Sequence, residues 1–407
     1  MRCRIHYGWV IVAVCMMLIF GASLVSTGMS ISINALHRDH GMSGAETSAI
    51  ITVCSATAFL LTCIGDRYYM KFGLRNGMFI AAVSGCIAFL IYSVSGDTPW
   101  MYYIGSVFGG VTYGLGFMLP ASILMRRWFT KNRALALSMC SAGSGLSIAI
   151  GSPILETIID EIDLGMSFLT EAAFMAVTAV LILVLVKNHP SDIGAEPLGG
   201  PDLSSEKKGR GTHSLTNTAI ISLIIAAVFA GICGFPATSH LSLNFTTAGL
   251  DDMKVAFGIS LFGIVLIVCK LLLGRTMDSK GTYFATMLFG IFAVFGLFGC
   301  FAVSGVTEYW VLYVSMILIG IGNPIVSLGY PNWASDFSTA DEYPKNLRRL
   351  QMGYQFGIMA GSFLPGLIFD TTGSYSWAYL LFTFLFASAL VLVSIAYGKG
   401  KKTQACA

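Results

Sequence analysis

The amino-acid sequence predicts an all-α membrane protein with twelve transmembrane helices arranged as two halves of six. Of its 407 residues, 55% are hydrophobic and only 11% are charged, whereas a soluble globular protein carries roughly 25% charged residues. The apolar residues also occur in runs of about 20, the length that a helix needs to cross a hydrocarbon core about 30 Å thick. This composition excludes a soluble enzyme, a nucleic-acid-binding protein and a disordered scaffold.

Twelve apolar segments can be marked along the chain. Inside a bilayer the backbone polar groups must bond within their own segment, so each segment is predicted to be a helix. We expect an N-terminal six-helix bundle over residues 1–187, a cytoplasmic loop over 188–217, a C-terminal six-helix bundle over 218–398 and a cytoplasmic tail over 399–407. The predicted spans are 7–34, 45–65, 77–96, 100–125, 134–155, 167–186, 218–245, 255–275, 283–304, 309–334, 350–369 and 375–397.

The basic residues predict the orientation of these spans. With the N-terminus in the cytoplasm, 21 of the 24 lysines and arginines fall in cytoplasmic segments, whereas Arg38 and Lys254 lie in outer loops and Lys270 lies within a span. Lysine and arginine are retained on the cytoplasmic side of a membrane. We therefore expect both termini to be cytoplasmic and the protein to be a multi-pass component of the inner (cell) membrane.

The chain offers no pattern for catalytic or cofactor chemistry. Eight of its ten cysteines fall inside apolar runs, and no Cys-x-x-Cys pair occurs, so neither a disulfide framework nor a zinc site is indicated. Nucleotide-binding loops and nucleophile motifs are also missing from the sequence. We expect a protein that is not an enzyme, needs no metal or cofactor, and acts as a monomer.

Several motifs are shared with one transporter family. Tyr7-Gly8-Trp9-Val10 opens span 1, a Gly-rich span 4 is followed by a loop that includes Lys131, Arg133 and Ala134, and Phe369-Asp370-Thr371-Thr372-Gly373 precedes span 12. With these motifs and its six-plus-six spans, the chain resembles the major facilitator superfamily, and within it the group of oxalate–formate antiporters and monocarboxylate transporters. The resemblance covers nearly the whole chain.

Two equivalent loops, after spans 2 and 8, are candidates for gating at the inner face. Charges in such short loops can pair and brace one closed state, although clusters of this kind can also simply set topology. In the superfamily the first loop usually carries a Gly and an Asp, whereas this chain has Asp66 and Met70 at those places. The candidate gating residues, including one from the loop after span 4, are Arg75, Gly274, Asp278 and Arg133.

Lys270 is the ionisable side chain that lies clearly inside a span. A charge in hydrocarbon costs roughly 2.5–3.5 kcal/mol on insertion scales, so such a residue by default faces the protein interior and has a function. The alternative is snorkelling, because Arg275 is five residues away, about 7.5 Å along a helix. The resemblance implies a substrate-binding cation at this position, where family members carry Arg; Lys offers a point charge instead of a bidentate fork.

Other positions of the family's site depart from its pattern. Span 11 lacks the Lys of the oxalate members, Leu266 stands where monocarboxylate relatives carry an Asp, and Thr27 stands roughly where they carry a Lys in span 1. We find no acidic residue in the middle of a span, and place Glu171 near a span end. One cation without a buried acid favours a singly charged organic anion over oxalate.

Further candidates for substrate binding are polar and aromatic residues in the middle of spans. Each of them can equally be explained by helix packing or by a hydrogen bond between helices. Asn323, Ser327 and Tyr330 share one face of span 10 because they are spaced by four and three residues. The others are Tyr113 and Phe117 in span 4, Tyr354 and Gln355 in span 11, and Asn244 in span 7, with His240 as a capping or gate residue.

These observations predict a secondary active transporter for a small organic anion, a mono- or short carboxylate, working by alternating access. If Lys270 stays charged, an empty carrier crosses poorly and the protein exchanges one anion for another; if it gives up its proton when empty, each anion arrives with a proton. The sequence leaves proton symport and exchange of anions open. The alternatives are a transporter for neutral or cationic drugs, and a membrane receptor that transports nothing.

Overall fold

The computed structural model describes residues 6–42, 44–200, 217–303, 308–339 and 341–405, and over these residues the chain is helical, with a single isolated β-bridge between Phe129 and Leu198. It forms two compact units, Met1–Asp202 and Leu203–Ala407. The division between them falls inside the predicted linking segment.

The first unit contains eight α-helices among its described residues. A π-helical turn, Ser147–Gly151, joins the sixth helix to the seventh, and a 3₁₀ turn, Pro190–Ile193, follows the eighth. The helices are α1 (Gly8–His40), α2 (Gly44–Thr62), α3 (Gly65–Ser93), α4 (Pro99–Gly116), α5 (Met118–Trp128), α6 (Arg133–Leu146), α7 (Ser152–Glu161) and α8 (Leu164–Leu185).

The second unit contains ten α-helices among its described residues. They are α9 (Asn217–Ile232), α10 (Phe235–Ser239), α11 (Leu241–Thr247), α12 (Asp252–Lys280), α13 (Thr282–Ala302), α14 (Tyr309–Gly322), α15 (Pro324–Asp336), α16 (Tyr343–Gly361), α17 (Leu364–Thr372) and α18 (Ser376–Ala405).

Eleven helical stretches of the described chain are long and apolar enough to cross a membrane. The predicted second span corresponds to α2, whose apolar part within the described chain, Ala49–Thr62, is shorter than the other eleven. The all-helical class is therefore confirmed. The count of twelve spans and the cytoplasmic termini stay predictions.

Predicted spans 4 and 10 are each interrupted near their middle. Span 4 breaks at Phe117, whose ψ of −116° is not helical, between α4 and α5. Span 10 is divided between α14 and α15 at Asn323, whose own dihedral angles (φ −56°, ψ −31°) stay helical. Pro120 and Pro324 lie in the first turn of the helix after each break. Proline lacks the N–H that a continuous helix would use there, so both breaks follow from the sequence. The two units therefore share a feature at equivalent places.

Close helix crossings within each unit depend on glycine. A Cβ on Gly357 of α16 would meet the carbonyl of Val228 on α9, and one on Gly231 of α9 would meet the carbonyl of Tyr354. In the first unit, Gly143 of α6 lies equally close to the backbone of α1. Small residues let membrane helices pack backbone to backbone, where dispersion forces hold them together.

Candidate functional site

Lys270 lies on the face of α12 that packs against the protein. Its side chain is 3% exposed, and α12 contacts α13, α14 and α15. Ile264, Val268 and Leu272 form the exposed stripe of the same helix, about half a turn away. The buried stripe consists of Phe262, Leu266, Lys270, Leu273 and Met277. Snorkelling would leave the lysine side chain extended along the exposed surface, so this burial favours the functional interpretation of Lys270.

The structure brings together two predicted candidates from different helices of the second unit. The rings of Tyr330 on α15 and Tyr354 on α16 stack with centroids 5.0 Å apart at 25°, and both residues are buried. Gln355 is also buried. Gln351, one turn earlier on α16, was not singled out from the sequence, yet it is buried and its Oε1 has no hydrogen-bond partner in the described chain.

Asn323 and Ser327, the other two residues of the predicted face of span 10, are partly exposed. Asn323 stands at the junction of α14 and α15, where its N–H donates to the carbonyl of Ile319 (2.7 Å). The Ser327 hydroxyl lies 3.5 Å from the carbonyl of Pro324. Asn323 is therefore part of the helix break as well as a candidate lining residue.

The predicted pair in the first unit also forms a stack. The rings of Tyr113 and Phe117 lie 5.0 Å apart at 21°, and Phe117 is the residue at which α4 ends. Each unit thus places an aromatic stack on an interrupted helix. The side chain of Thr27, the candidate on α1, lies outside the described residues.

Asn244 joins three helices of the second unit. Its Nδ2 donates to the carbonyl of Cys300 on α13 (3.0 Å), and its Oδ1 accepts from the hydroxyl of Ser376 on α18 (3.1 Å). The residue itself lies on α11 and is buried. Because both functions of the amide are used in these bonds, the packing alternative explains Asn244 better than substrate binding does. His240, with its Nδ1 3.0 Å from the carbonyl of Pro236, similarly holds the turn between α10 and α11.

Arg75, a predicted gating residue, makes its contacts within the first unit. Its backbone N–H donates to Oδ1 of Asn188 (2.9 Å), and its guanidinium donates to the carbonyl of Leu183 in the last turn of α8. A cation at this place compensates the free carbonyls and the negative end of the helix dipole. Of the other gating candidates, Arg133 begins α6 and is partly exposed, Gly274 is buried in α12, and Asp278 is exposed.

The segment after α8 is fixed to the last turn of α5. Trp128 Nε1 donates to the carbonyl of Lys187 (3.2 Å), and Arg127 donates to the carbonyl of Asn188 (3.2 Å). His189 then caps the 3₁₀ turn, with its N–H bonded to Asp192 (3.0 Å). Partial burial and the nearby Arg127 lower the pKa of His189, while Asp192 acts in the opposite direction. A neutral imidazole suits this cap because its side chain must accept a hydrogen bond.

Glu171 corrects the expectation that the chain holds no acid inside a span. It is seven residues from the start of α8, about 10 Å along the helix, and only 1% exposed. Neither carboxylate oxygen has a hydrogen-bond partner among the described residues. The buried side chains of charged type in the described chain are Asp66, Glu171 and Lys270. Asp66 differs from Glu171 because it accepts a bond from the N–H of Arg67 (2.7 Å).

Comparison with known proteins agrees with this architecture. A family model described as Major Facilitator Superfamily matches residues 12–348. Monocarboxylate transporter 12 of Xenopus laevis is 23% identical over 416 residues, with 95% of this chain and 88% of that protein covered. Monocarboxylate transporter 4 of Rattus norvegicus is 21% identical over 396 residues, with coverages of 95% and 81%.

The similarity extends to a solved structure. The proton:xylose symporter XylE, bound to 6-bromo-6-deoxy-D-glucose, aligns with a TM-score of 0.70 at 14% identity, covering 95% of this chain and 94% of that one. The family model spans well over half of the 407 residues. The chain therefore belongs to the Major Facilitator Superfamily and is a membrane transporter, not an enzyme.

Proposed function

We propose that this transporter carries small organic anions, mono- or short carboxylates, and that Lys270 binds the carboxylate. The observation that carries the proposal is the burial of a lysine (3% exposed) within the long apolar stretch of α12. An ionisable side chain buried within a membrane span by default serves a function, and a cation suits an anionic cargo. The similarity to two monocarboxylate transporters supports the same class of cargo.

The proposal includes the membrane arrangement expected from the sequence. The chain crosses the inner membrane twelve times with both termini in the cytoplasm, and the two bundles alternate in exposing the cargo site to each side. The distribution of 21 of 24 basic residues over one set of loops supports this orientation. The stacked pairs Tyr113–Phe117 and Tyr330–Tyr354 contribute apolar contacts for the organic part of the cargo.

Coupling takes one of two forms. If Lys270 stays charged, the empty carrier cannot readily turn its cargo site from one side of the membrane to the other, so the protein exchanges one anion for another. A lysine that releases its proton in the empty state gives cotransport of anion and proton. Uptake driven by an imposed pH gradient distinguishes cotransport from exchange, which needs an anion on the opposite side.

A cationic cargo is the second candidate, and one observation favours it. Glu171 supplies the buried acid that a carrier of organic cations requires. In that case lipophilic cations compete with the cargo and short carboxylates do not.

Uptake into proteoliposomes tests the proposal. The radiolabelled compounds to be tested are short monocarboxylates, short dicarboxylates and lipophilic cations. The uptake of each compound is measured with the wild type, Lys270→Met and Lys280→Met. Methionine keeps the length of the side chain and removes its charge. Lys280 is the matched control because it ends the same helix, is exposed, and lies 5.3 Å from the ring centroid of Phe284.

We expect saturable uptake of a carboxylate that is lost in Lys270→Met and kept in Lys280→Met. Equal uptake by wild type and Lys270→Met would contradict the role of Lys270. Saturable uptake of lipophilic cations alone would replace the anion proposal by the second candidate.

A further inference from the structure

Glu171 lies on the face of α8 that is turned toward the protein. Ser167, Glu171 and Met175 follow one another at spacings of four residues, hence on one side of the helix, and all three are buried. Val177 and Val180 occupy the opposite, exposed side. The carboxyl group is therefore enclosed by the first unit and does not face the surface.

The walls around Glu171 are apolar and aromatic. Tyr92 of α3 is close enough to Glu171 to interact with it electrostatically, but its hydroxyl is bonded to that of Ser106 (2.9 Å). The ring of Phe168 lies 5.2 Å from that of Tyr92. One turn further along α8, Met175 fills the space left by glycines of α1 and α3.

No polar partner compensates the carboxyl group within the described chain. Both of its oxygens lack a hydrogen-bond partner there, and so does the hydroxyl of Ser167. Arg75 of α3 is a basic residue that bonds to α8, through the carbonyl of Leu183. Leu183 is 12 residues from Glu171, which corresponds to about 18 Å along the helix.

Among the described side chains, the titratable groups on the helices packed against α8 supply no counter-charge either. α8 contacts α1, α3 and α7. The acidic groups of α7 are exposed, and on α3 the titratable groups at this end are Tyr92 and a partly exposed cysteine. On α1 the described ones are a buried cysteine and a partly exposed histidine at the end of the helix, and a tyrosine directly precedes the helix. Those not yet named are Glu156, Asp160, Glu161, Cys86, Tyr7, Cys15 and His40, while the side chains of His37, Arg38 and Asp39 lie outside the described residues.

An ionised carboxylate does not fit such a site. The effective penalty for burying one ion is several kcal/mol even after relaxation, and an isolated buried group neutralises instead. For a carboxylate, neutralisation means binding one proton. The surroundings of Glu171 therefore suit a carboxyl group that has bound a proton.

An irregular turn directly precedes a helix that packs against α8. α7 packs against α8 and begins directly after the π-helical turn Ser147–Gly151. Pro153 in its first turn cannot supply the N–H of a regular helix, and π-helical turns frequently occur at functional sites. Movement at this turn would change the packing of α7 on α8 and admit water to the carboxyl group, which would then release its proton to that water.

We propose that Glu171 is a proton-binding site of the first unit, and that its proton is exchanged with water during the transport cycle and couples transport to protons. This proposal rests on the proposed function for its second half, since it selects proton coupling over exchange of anions. Its first half concerns the carboxyl group alone.

Infrared spectroscopy of the purified protein at neutral pH tests the first half without any cargo. The C=O stretch of a protonated carboxyl group is separate from the bands of ionised carboxylates. We expect the wild-type spectrum to contain such a band, and Glu171→Gln to lose it. Glu156→Gln is the matched control, because Glu156 is an exposed acid of the adjacent helix, and this variant should keep the band.

Glutamine is nearly the same size as a protonated glutamic acid and is uncharged, so Glu171→Gln should fold with a melting temperature near that of the wild type. A spectrum without the band, or a band that persists in Glu171→Gln, would show that the carboxyl group is ionised and would overturn the proposal. A large loss of thermal stability in Glu171→Gln would do the same, because it would mean that an ionised, paired carboxylate had been removed.

Uptake in proteoliposomes tests the second half. We expect an inward proton gradient to drive accumulation of the cargo by the wild type and by Glu156→Gln, and to have no effect on Glu171→Gln, which still exchanges cargo across the membrane. An unchanged response of Glu171→Gln to the gradient would refute the coupling. If the wild type carried no carboxylate at all, the proposed function would fail, while the infrared band would still decide whether Glu171 holds a proton.

Discussion

Replacing Lys270 by Met should weaken carboxylate binding by one to two orders of magnitude. A hydrogen bond to a charged group contributes about 1.5–3 kcal/mol, which corresponds to roughly a 10- to 150-fold increase in Kd. Lys270 is buried, so solvent screening does not reduce this contribution as it would at the surface. The substitution keeps the apolar stem of the side chain, so the packing of α12 changes little.

Thermal stabilisation by ligand measures this loss. At a carboxylate concentration of about 100 Kd the wild type gains about 2.7 kcal/mol, and the variant should gain only about 0.3–1.4 kcal/mol at the same concentration. For a unit of about 200 residues, 1 kcal/mol corresponds to about 2–4 °C in melting temperature. The expected shifts are therefore about 5–11 °C for the wild type and about 1–6 °C for Lys270→Met.

Two controls make the result specific to Lys270. Lys280→Met, at the exposed end of the same helix, should respond like the wild type. Lys270→Arg should keep most of the wild-type shift, because arginine keeps the positive charge. If Lys270→Met were stabilised by carboxylates as much as the wild type, Lys270 would not be the cargo-binding cation. Equal losses in both methionine variants would indicate a non-specific charge effect.

Three further predictions concern the scaffold around the candidate site. Gly357→Ala should lower stability by about 1–3 kcal/mol through overpacking, measured as a drop in melting temperature, whereas Gly366→Ala, where a Cβ meets nothing within 4 Å, should be tolerated; similar melting temperatures for both would contradict the crossing of α9 and α16. Asn244→Ala should cost about 1–3 kcal/mol because buried partners lose their bonds, and a fall in cargo affinity at unchanged stability would return Asn244 to the binding candidates. Because the pKa of His189 is lowered in the folded chain, the unfolded chain binds more protons as the pH falls below about 6.5, so this residue contributes stability at neutral pH that is lost on acidification; His189→Gln should show a smaller drop in melting temperature between neutral and acidic pH, and an unchanged drop would contradict this role.

The sequence predicts the helical class and the position of Lys270 for simple physical reasons. Apolar runs of membrane length admit only helices, and a single cation in such a run is conspicuous without any structure. The breaks at Phe117 and Asn323 were not predicted, although Pro120 and Pro324 are their visible signals. The positions of prolines within a span therefore indicate where its helix is interrupted, which the mean hydropathy of the span does not.

Glu171 was missed because hydropathy places the ends of a helix poorly. The sixth span was expected to begin near residue 167, which leaves Glu171 one turn from its end. The helix begins at Leu164, and Asp163 caps it by accepting a bond from the N–H of Met166 (2.6 Å). An Asp directly before an apolar run is a helix-start signal that can be read from sequence. What could not be read is the burial of the carboxyl group, because it depends on the positions of α1, α3 and α7.

The two buried ionisable groups have complementary requirements. Under the two proposals, Lys270 is neutralised when a carboxylate binds and Glu171 is neutralised when a proton binds. A carrier that holds both cargo and proton places an anion beside the Lys270 cation and leaves Glu171 uncharged, whereas an empty carrier with an ionised Glu171 encloses a carboxylate whose oxygens have no hydrogen-bond partner among the described residues. Since charges in a low-dielectric interior are costly, the fully loaded state is the one that these helices accommodate most readily. The burial of one lysine on α12 and one glutamate on α8 therefore favours movement of the anion together with a proton over exchange of one anion for another.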